Sequence, residues 1–427
     1  MITLLDKSKV PFFDYFYLLA IIIYAGLASA FAREFGDIRT LGNAVALVLT
    51  FAFAIHKRIG IQKELLIILG IFSIYSVFST VYSGYSSSRF LWLFSQWIIY
   101  FYVAYVICKG YGYRFFVLAE TILFHLAIIS LACWVILLII PGPFASFLKT
   151  FALPAFNEDD RYVSANVLFY TVILSNVTEG FDSTFYFLIR NSGFAWEPGA
   201  FACFMCLAIS FNMLRTEFKL KNNLPLVIFL IALASTQSTT GYCTFGITLG
   251  VWLFLNRKFG WLILLIPAFL AVFNLPFIGD KLDMKMEGFN EATLATAGGG
   301  EYYDRILSFG IMWDEFLRHP LFGYGFTIPE FERLELHTWS GMGRLIAQFG
   351  VFMTILFFVS LLKSTKRIGI YFSSQYGVIV TITILGSMLS YMIWTQPFFI
   401  AIWLSCLFVR DPKKSCFKDK SESIVSL

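Results

Sequence analysis

The chain is poor in charged residues. Only 14% of its 427 residues are Asp, Glu, Lys or Arg, whereas an average soluble domain has about 25%. Hydrophobic residues make up 58%, and the mean hydropathy is +0.75. A soluble fold cannot hide so much apolar surface, but a bilayer provides an apolar solvent for it. This composition excludes an ordinary soluble protein and predicts an integral membrane protein.

The sequence also has little that points to a metal, a disulfide or a redox site. None of the seven cysteines falls in the two longest polar segments, so no structural disulfide is expected. Cys203 and Cys206 form a CxxC pair inside an apolar segment, without a second pair. The acidic run 158–160 is one candidate for a divalent ion, but such runs are more often solvated. No metal or cofactor is predicted, and nothing indicates a nucleic-acid partner.

Twelve apolar segments have the composition of membrane-spanning helices, which need about 20 residues. Several are short and are expected to pack inside the bundle. With no internal repeat visible, the sequence predicts one all-α membrane domain over residues 1–427. The segments are 12–32, 41–56, 64–82, 90–108, 115–140, 197–214, 224–238, 241–255, 260–277, 342–362, 372–391 and 394–409.

Basic residues predict the orientation. If the N-terminus lies in the cytoplasm and the spans alternate, every short inner loop carries Lys or Arg, as the positive-inside rule requires. Both termini are then cytoplasmic, and 410–427 is a cytoplasmic tail. Two long loops, 141–196 and 278–341, fall on the outer face. Long loops in compact proteins are usually functional or disordered, and these contain aromatic and helix-like stretches that favour a functional role.

The first outer loop ends in Arg190-Asn191-Ser192-Gly193-Phe194-Ala195-Trp196-Glu197-Pro198, immediately before a span. Pro198 suits the first helical turn and Glu197 complements its positive end, so a purely structural role explains Glu197 well. Arg190 has two interpretations that stay open: contact with solvent or a lipid headgroup, or contact with a phosphorylated substrate.

In the second outer loop, the stretch around 301–317 predicts an amphipathic helix, with apolar residues at 306, 309, 312, 313, 316 and 317. His319-Pro320 is expected to end it, followed by a tight, backbone-exposed turn at Gly323 and Gly325. His337 follows, just before the next span. Two guanidinium groups, Arg190 and Arg305, suit a diphosphate, and an imidazole near neutral pH suits proton transfer. A lone histidine at a helix start is, however, usually a cap or a surface group.

Two other features have both a structural and a functional interpretation. Ser238 and Thr239 lie in a polar outer turn, which either lines a sugar or phosphate site or caps two helices. Glu120 lies within the fifth span, where an ionisable group suggests function. Its position near the inner end of that span favours a side chain that snorkels to water.

These stretches resemble the O-antigen polymerases and the related O-antigen ligases, which share a polytopic membrane fold similar to the C-type glycosyltransferases. RNSGFAWEPGAFA, from Arg190, looks like the polymerases' Arg-then-Glu-Pro segment. The turn around Ser238 looks like the family's polar outer turn. HPLFGYG followed by His337 looks like the second-loop motif, although Thr338 stands where that motif often has Asn.

The resemblance implies a function at the outer face of a bacterial cytoplasmic membrane. An undecaprenyl-diphosphate-linked oligosaccharide would be the donor, and a lipid-linked repeat unit the acceptor, giving O-antigen, capsule or exopolysaccharide without a metal. Arg190 and Arg305 would bind the diphosphate, with His337 as base or acceptor-orienting group. Glu197, His319, Ser238 and Thr239 are further candidates for substrate contact, and a chain-length regulator is a possible partner.

Two alternatives stay open. A ligase would transfer the glycan to the lipid A core of lipopolysaccharide instead of to another repeat unit. A flippase or other transporter would move lipid-linked oligosaccharide, but transporters usually place their polar site near the bilayer midplane. These candidate polar residues crowd the outer face, which favours surface chemistry.

Overall fold

The structure is a computed structural model that describes residues 10–34, 36–84, 90–150, 162–165, 171–173, 190–195, 197–273, 305–326 and 340–410. About 80% of it is helical. Five helices (α3, α4, α5, α7 and α12) are long and apolar enough to cross a membrane, and further apolar helices are shorter. The chain is therefore an all-α membrane protein. The elements, in chain order, are α1 Phe12–Glu34, α2 Gly36–His56, α3 Lys63–Ser83, α4 Phe90–Tyr111, α5 Arg114–Ile139, α6 Pro141–Lys149, β1 Tyr162–Ala165, β2 Thr171–Ile173, β3 Arg190–Asn191, α7 Pro198–Thr216, α8 Leu224–Ser235, α9 Thr239–Leu255, α10 Phe259–Phe273, α11 Arg305–Arg318, α12 Gly341–Tyr371, α13 Val378–Met388, a 3₁₀ turn Ile393–Thr395, α14 Pro397–Trp403 and α15 Ser405–Phe408.

Helix α7 lies at the centre of the bundle. Among the 18 most apolar consecutive residues of α7, 94% are buried, compared with 22% for the corresponding part of α3. Phe211 of α7 packs against Phe116 of α5, with 5.4 Å between ring centroids, and Phe204 against Phe399 of α14, at 5.5 Å. Ile74 of α3, in contrast, is 73% exposed. Such a residue is suited to contact with lipid tails, because these are as apolar as the side chain.

Helices α1 to α5 and α7 to α9 alternate in direction, so the bundle has two ends. We call one the Arg190 end, which holds β3, the start of α7, the end of α8 and the starts of α9 and α12. We call the other the Lys57 end, which holds the start of α1, the end of α2, the end of α4 and the start of α5. The three short strands of the first long loop form an antiparallel sheet in the order β1-β2-β3, which leads the chain to the Arg190 end.

Helix α12 is broken at Gly350, which has φ 59° and ψ −172°. The segment 319–325 lies against the break and supplies the missing hydrogen bonds. Val351 N donates to the carbonyl of Pro320 at 2.8 Å, and Gly325 N donates to that of Gln348 at 2.7 Å. Within a bilayer, irregular backbone is tolerated only where protein satisfies its polar groups. The break and the segment therefore depend on each other.

The structure corrects the interpretation of Glu120. Instead of snorkelling to water, its carboxylate is fully buried and accepts two hydrogen bonds from Arg215, at 3.1 Å from Nε and 2.7 Å from Nη2. Asn212 Nδ2 adds a third at 2.8 Å. This bidentate pair joins α5 to α7 near the Lys57 end, and its arrangement is that of a structural clamp.

Candidate functional site

Arg190 lies in β3, opposite Ile173 of β2. Its guanidinium reaches the C-terminal end of α8, where Nε donates to the carbonyl of Thr236 at 3.1 Å and Nη2 to that of Gln237 at 3.2 Å. The end of a helix presents unpaired carbonyls and a partial negative charge, which a cation stabilises. Arg190 is half-buried, so part of its side chain can still contact solvent or a lipid headgroup, and that interpretation stays open. Its contact with substrate remains a prediction.

Asn191 is a site residue that the sequence analysis missed. Its side chain is fully buried and joins three parts of the bundle. Its Oδ1 accepts from Ser130 Oγ of α5 at 2.6 Å and from Gly193 N at 2.8 Å, while Nδ2 donates to Ser235 Oγ of α8 at 2.9 Å. A satisfied buried amide of this kind fixes its neighbour, so Asn191 holds Arg190 in position. Its position directly after Arg190 is the only feature of the sequence that could have identified Asn191 as a site residue.

Glu197 and Pro198 begin α7 as predicted. Glu197 is the extended N-cap residue, its carbonyl accepts from Phe201 N at 3.1 Å, and Pro198 occupies the first turn. Tyr391 covers this helix start closely, because a Cβ atom on Gly199 would lie 1.8 Å from the Tyr391 hydroxyl oxygen. Glu197 is thus at the Arg190 end, beside the segment that carries the Tyr391 hydroxyl.

The polar turn before α9 lies at the same end. Ser238 is the N-cap of α9, and its Oγ accepts from Gly241 N at 3.2 Å, which confirms the capping role. Thr239 is half-buried in the first turn. Thr240 Oγ1 lies 2.8 Å from Ser390 Oγ, so this turn contacts the segment that includes Tyr391.

The second long loop returns to the bundle at this same place. Ser340 caps α12, with its Oγ accepting from Gly343 N at 3.1 Å. A Cβ atom on Gly341 would lie 2.1 Å from the Tyr391 carbonyl oxygen, and Trp394 Nε1 donates to the Gly341 carbonyl at 2.9 Å. His337 lies outside the described residues, three positions before Ser340. The chain that carries it therefore enters the bundle next to Tyr391, which also covers the start of α7.

Arg305 begins α11, the helix that the amphipathic pattern predicts, but its side chain is outside the described part of the chain. Helix α11 runs beside the first part of α12, because a Cβ atom on Gly343 would lie 2.8 Å from Met312 Cβ. Arg305 is seven residues before Met312, or about 10 Å along the helix axis. Phe316 and Ala347, further along both helices, share one buried cluster with Met312, so the two helices run in the same direction. The backbone of Arg305 is therefore at the Arg190 end.

His319 lies elsewhere, at the other end of α11. Its ring contacts Tyr82 of α3 and Tyr324, with centroid distances of 5.6 and 4.5 Å. The turn that follows is not backbone-exposed, so that prediction from the sequence is wrong. Gly323 and Gly325 are buried, and their N–H groups donate to the carbonyls of His319 and Gln348. These amides are used within the protein, which argues for a structural role of this turn.

The pKa of His319 gives a test of its environment. Burial lowers the pKa of His319 below its usual value; the Glu315 carboxylate opposes this shift and Arg318 adds to it. Between this lowered pKa and about pH 6.5, the unfolded chain binds more protons than the folded one, so the contribution of His319 to stability is present above that pH and is lost as the pH falls through the folded-state pKa. We expect His319→Gln to flatten the decline of Tm below pH 6.5. His56→Gln, at the Lys57 end, is the control, and equal slopes in His319→Gln and wild type would contradict this prediction.

The described residues thus gather three stretches that are far apart in the sequence. The end of the first long loop, the polar turn before α9 and the entry to α12 meet around Ser390 and Tyr391. This arrangement places one guanidinium, one carboxylate and several hydroxyl groups at one end of a bundle. Such a set can bind an anionic, hydroxyl-rich ligand by charge-assisted and neutral hydrogen bonds. No family model matches the chain, and no curated protein has a significant match to it.

Proposed function

We propose that the protein is a glycosyltransferase that polymerises undecaprenyl-diphosphate-linked oligosaccharide repeat units at the outer face of a bacterial cytoplasmic membrane, to give O-antigen or capsular polysaccharide. The observation that supports it best is the meeting of Arg190, Glu197, the polar turn and the exit of the second long loop at one end of the bundle. With the positive-inside orientation, this end faces outward, where such substrates are displayed.

The proposed reaction assigns a role to each of these groups. A hydroxyl of the acceptor repeat unit attacks the anomeric carbon of the donor glycan, the bond to the lipid diphosphate breaks, and the diphosphate leaves. Arg190 and Arg305 neutralise the charge that develops on it. His337 accepts the proton of the attacking hydroxyl. The new glycosidic bond joins the two glycans, and the acceptor's lipid diphosphate still carries the longer chain.

Two features favour this surface chemistry over a flippase. The side-chain pairs described between α7, α9 and α13 join neutral hydroxyls, with Ser210 bonded to Thr383 at 2.5 Å and Thr248 to Thr383 at 3.1 Å. The buried pair of Glu120 and Arg215 is neutralised internally. Neither group suits a diphosphate passing through the membrane, which needs compensating positive charge along its path. A ligase would use the same donor chemistry, so only the identity of the acceptor distinguishes it from a polymerase.

Complementation tests the proposal. The gene is deleted in its host, and wild type, His337→Ala or His56→Ala is restored at matched membrane levels. We expect His337→Ala to leave single repeat units at the cell surface, a loss of polymer of at least about 100-fold, because general-base catalysis contributes that much. His56→Ala makes the same chemical change at an exposed side chain of the Lys57 end and should support long polymer.

Each other result on the polysaccharide gel has a distinct meaning. Long polymer held on the lipid carrier in the deletion strain shows a ligase. A lack of lipid-linked glycan at the outer face shows a transporter. Long polymer made by His337→Ala at wild-type rate removes His337 from the mechanism. Arg190→Lys separates charge from geometry: it keeps a positive charge at the end of α8 but should lower polymerisation, since lysine lacks the bidentate fork.

A further inference from the structure

A cavity of about 290 Å³ lies at the Lys57 end, remote from the Arg190 end. It is formed by the starts of α1 and α5 and the ends of α2 and α4. That volume equals roughly ten water molecules. Its lining combines apolar residues with three charged ones. The lining residues are Val10, Pro11, Asp14, Lys57, Gly110, Tyr111, Arg114 and Leu118.

Asp14 gives the cavity an acceptor that the described part of the protein leaves unused. Its Oδ2 lies 2.7 Å from Lys57 Nζ. Its Oδ1 is buried and has no hydrogen-bond partner among the described residues, and Asp14 as a whole is only 8% exposed. A buried acceptor without a partner costs stability, and a ligand that brings a donor removes that cost.

The cations of the cavity differ in how far they are already engaged. Lys57 is held by Asp14, whereas Arg114 is exposed and makes no hydrogen bond with the described residues. Two cations and one carboxylate leave a net charge of +1. A ligand with one negative charge and a neutral donor matches both the charge and the unused Asp14 oxygen. A dianion would leave a net negative charge, and a zwitterion would leave the +1 uncompensated.

We propose that this cavity binds a phosphodiester with a hydroxyl-bearing headgroup, and that its source is a phosphatidylglycerol-type lipid of the adjacent leaflet. Arg114 and Lys57 hold the phosphate oxygens, and Asp14 Oδ1 accepts from a headgroup hydroxyl. The cavity lies at the end of α4 and the start of α5, two helices long and apolar enough to cross a membrane, and basic pockets at the ends of such helices are typical sites of anionic lipid headgroups. The proposal does not depend on the polymerase reaction.

The test uses the full-length protein in phosphatidylcholine nanodiscs with a titrated fraction of phosphatidylglycerol, and counts retained lipid by native mass spectrometry. We expect Arg114→Gln to raise the half-saturating lipid fraction about tenfold, the effect of losing one charge-assisted hydrogen bond. Lys63→Gln removes one exposed positive charge from the same end, outside the cavity, and should leave saturation unchanged. Asp14→Asn raises the cavity charge to +2 and should shift the preference toward phosphatidic acid.

Three results overturn the proposal. Equal weakening by Arg114→Gln and Lys63→Gln shows general surface attraction. Wild-type saturation in Arg114→Gln shows that the cavity is not the site. Tight binding of soluble glycerophosphoglycerol with no retained phosphatidylglycerol shows that the phosphodiester comes from solution, not from the membrane.

Discussion

Gly350→Ala is expected to destabilise the protein by roughly 4 kcal/mol or more. Gly350 occupies a backbone region that only glycine adopts readily, and forcing another residue there costs about 1–3 kcal/mol. A Cβ atom would also lie 2.5 Å from the Leu321 carbonyl oxygen and 2.7 Å from Gly323 N, both of which are backbone atoms that cannot rotate away. Whole domains are stable by only about 5–15 kcal/mol, so this loss is a large part of the total.

Relief of this strain by straightening α12 is expected to fail. A continuous helix would reclaim the N–H groups of Val351 and Phe352, and the carbonyls of Pro320 and Leu321 would lose their donors. The Tyr75 hydroxyl, which donates to the carbonyls of Phe322 and Phe349, would lose the geometry that joins α3 to both segments. Within a membrane, unpaired backbone groups cost several kcal/mol each.

The measurement is thermal unfolding of the purified protein in detergent, with Gly310→Ala as the matched control. Gly310 lies in the interior of α11, and a Cβ atom there meets nothing within 4 Å. That change should stabilise the protein by about 0.5–1 kcal/mol, because alanine favours the helix. If the two glycine-to-alanine substitutions change the stability in opposite directions, the backbone at Gly350, and not the added methyl group as such, sets the loss of stability. A Gly350→Ala protein that melts within a few degrees of wild type would contradict this prediction.

Apolar runs and their flanking residues predicted much of the helical layout. The fifth segment, predicted at 115–140, is found at Arg114–Ile139, and the third, at 64–82, is found at Lys63–Ser83. The fifth run is bounded by Arg114 and Pro141 and the third by Lys63 and Gly84, and such residues give clear boundaries. The amphipathic helix predicted in the second outer loop is confirmed, and it runs from Arg305 to Arg318, ending just before His319-Pro320.

The breaks were not predictable in the same way. Gly350 falls in the middle of the run 342–362, where a glycine alone does not distinguish a kink from a helix. The run 394–409 was predicted as one helix but consists of a 3₁₀ turn, α14 and α15. Ser364 of α12 stabilises this irregular stretch, since its Oγ accepts from Cys406 N at 3.0 Å and donates to the Trp403 carbonyl at 2.8 Å. Partners that are distant in sequence decide these breaks.

The candidate site shows the same limit. The sequence predicted that Arg190, Glu197 and Ser238 lie near one membrane face, because each stands at the edge of an apolar run. It did not predict that Arg190 donates to the end of α8, or that Tyr391 links α7 to α12. A residue at the end of one helix carries no local pattern that identifies the helix it will contact.

The clamp between Glu120 and Arg215 gives the second large expected effect. Arg215→Met should destabilise the protein by about 3–5 kcal/mol, because it leaves the Glu120 carboxylate buried without its cation. The Glu120 side chain has no exposed surface and that of Arg215 only 6%. Among the described residues, Asn212 remains as a donor to the carboxylate, and it is itself tied to Asn223, the N-cap of α8.

The double variant Glu120→Leu with Arg215→Met decides between a clamp and general packing. Removing both charges replaces an ion pair with apolar volume, which is often neutral or stabilising in a buried site. We therefore expect the double variant to be more stable than Arg215→Met, with an interaction free energy of at least about 2 kcal/mol. Lys219→Met is the control, since its exposed pair with Glu217 should contribute less than about 1 kcal/mol. If the losses of unfolding free energy in Glu120→Leu alone and in Arg215→Met alone simply add in the double variant, Glu120 and Arg215 are not coupled, and the clamp is wrong. If they couple as expected, the buried carboxylate at membrane depth is explained by its partner, and it needs no proton-relay role.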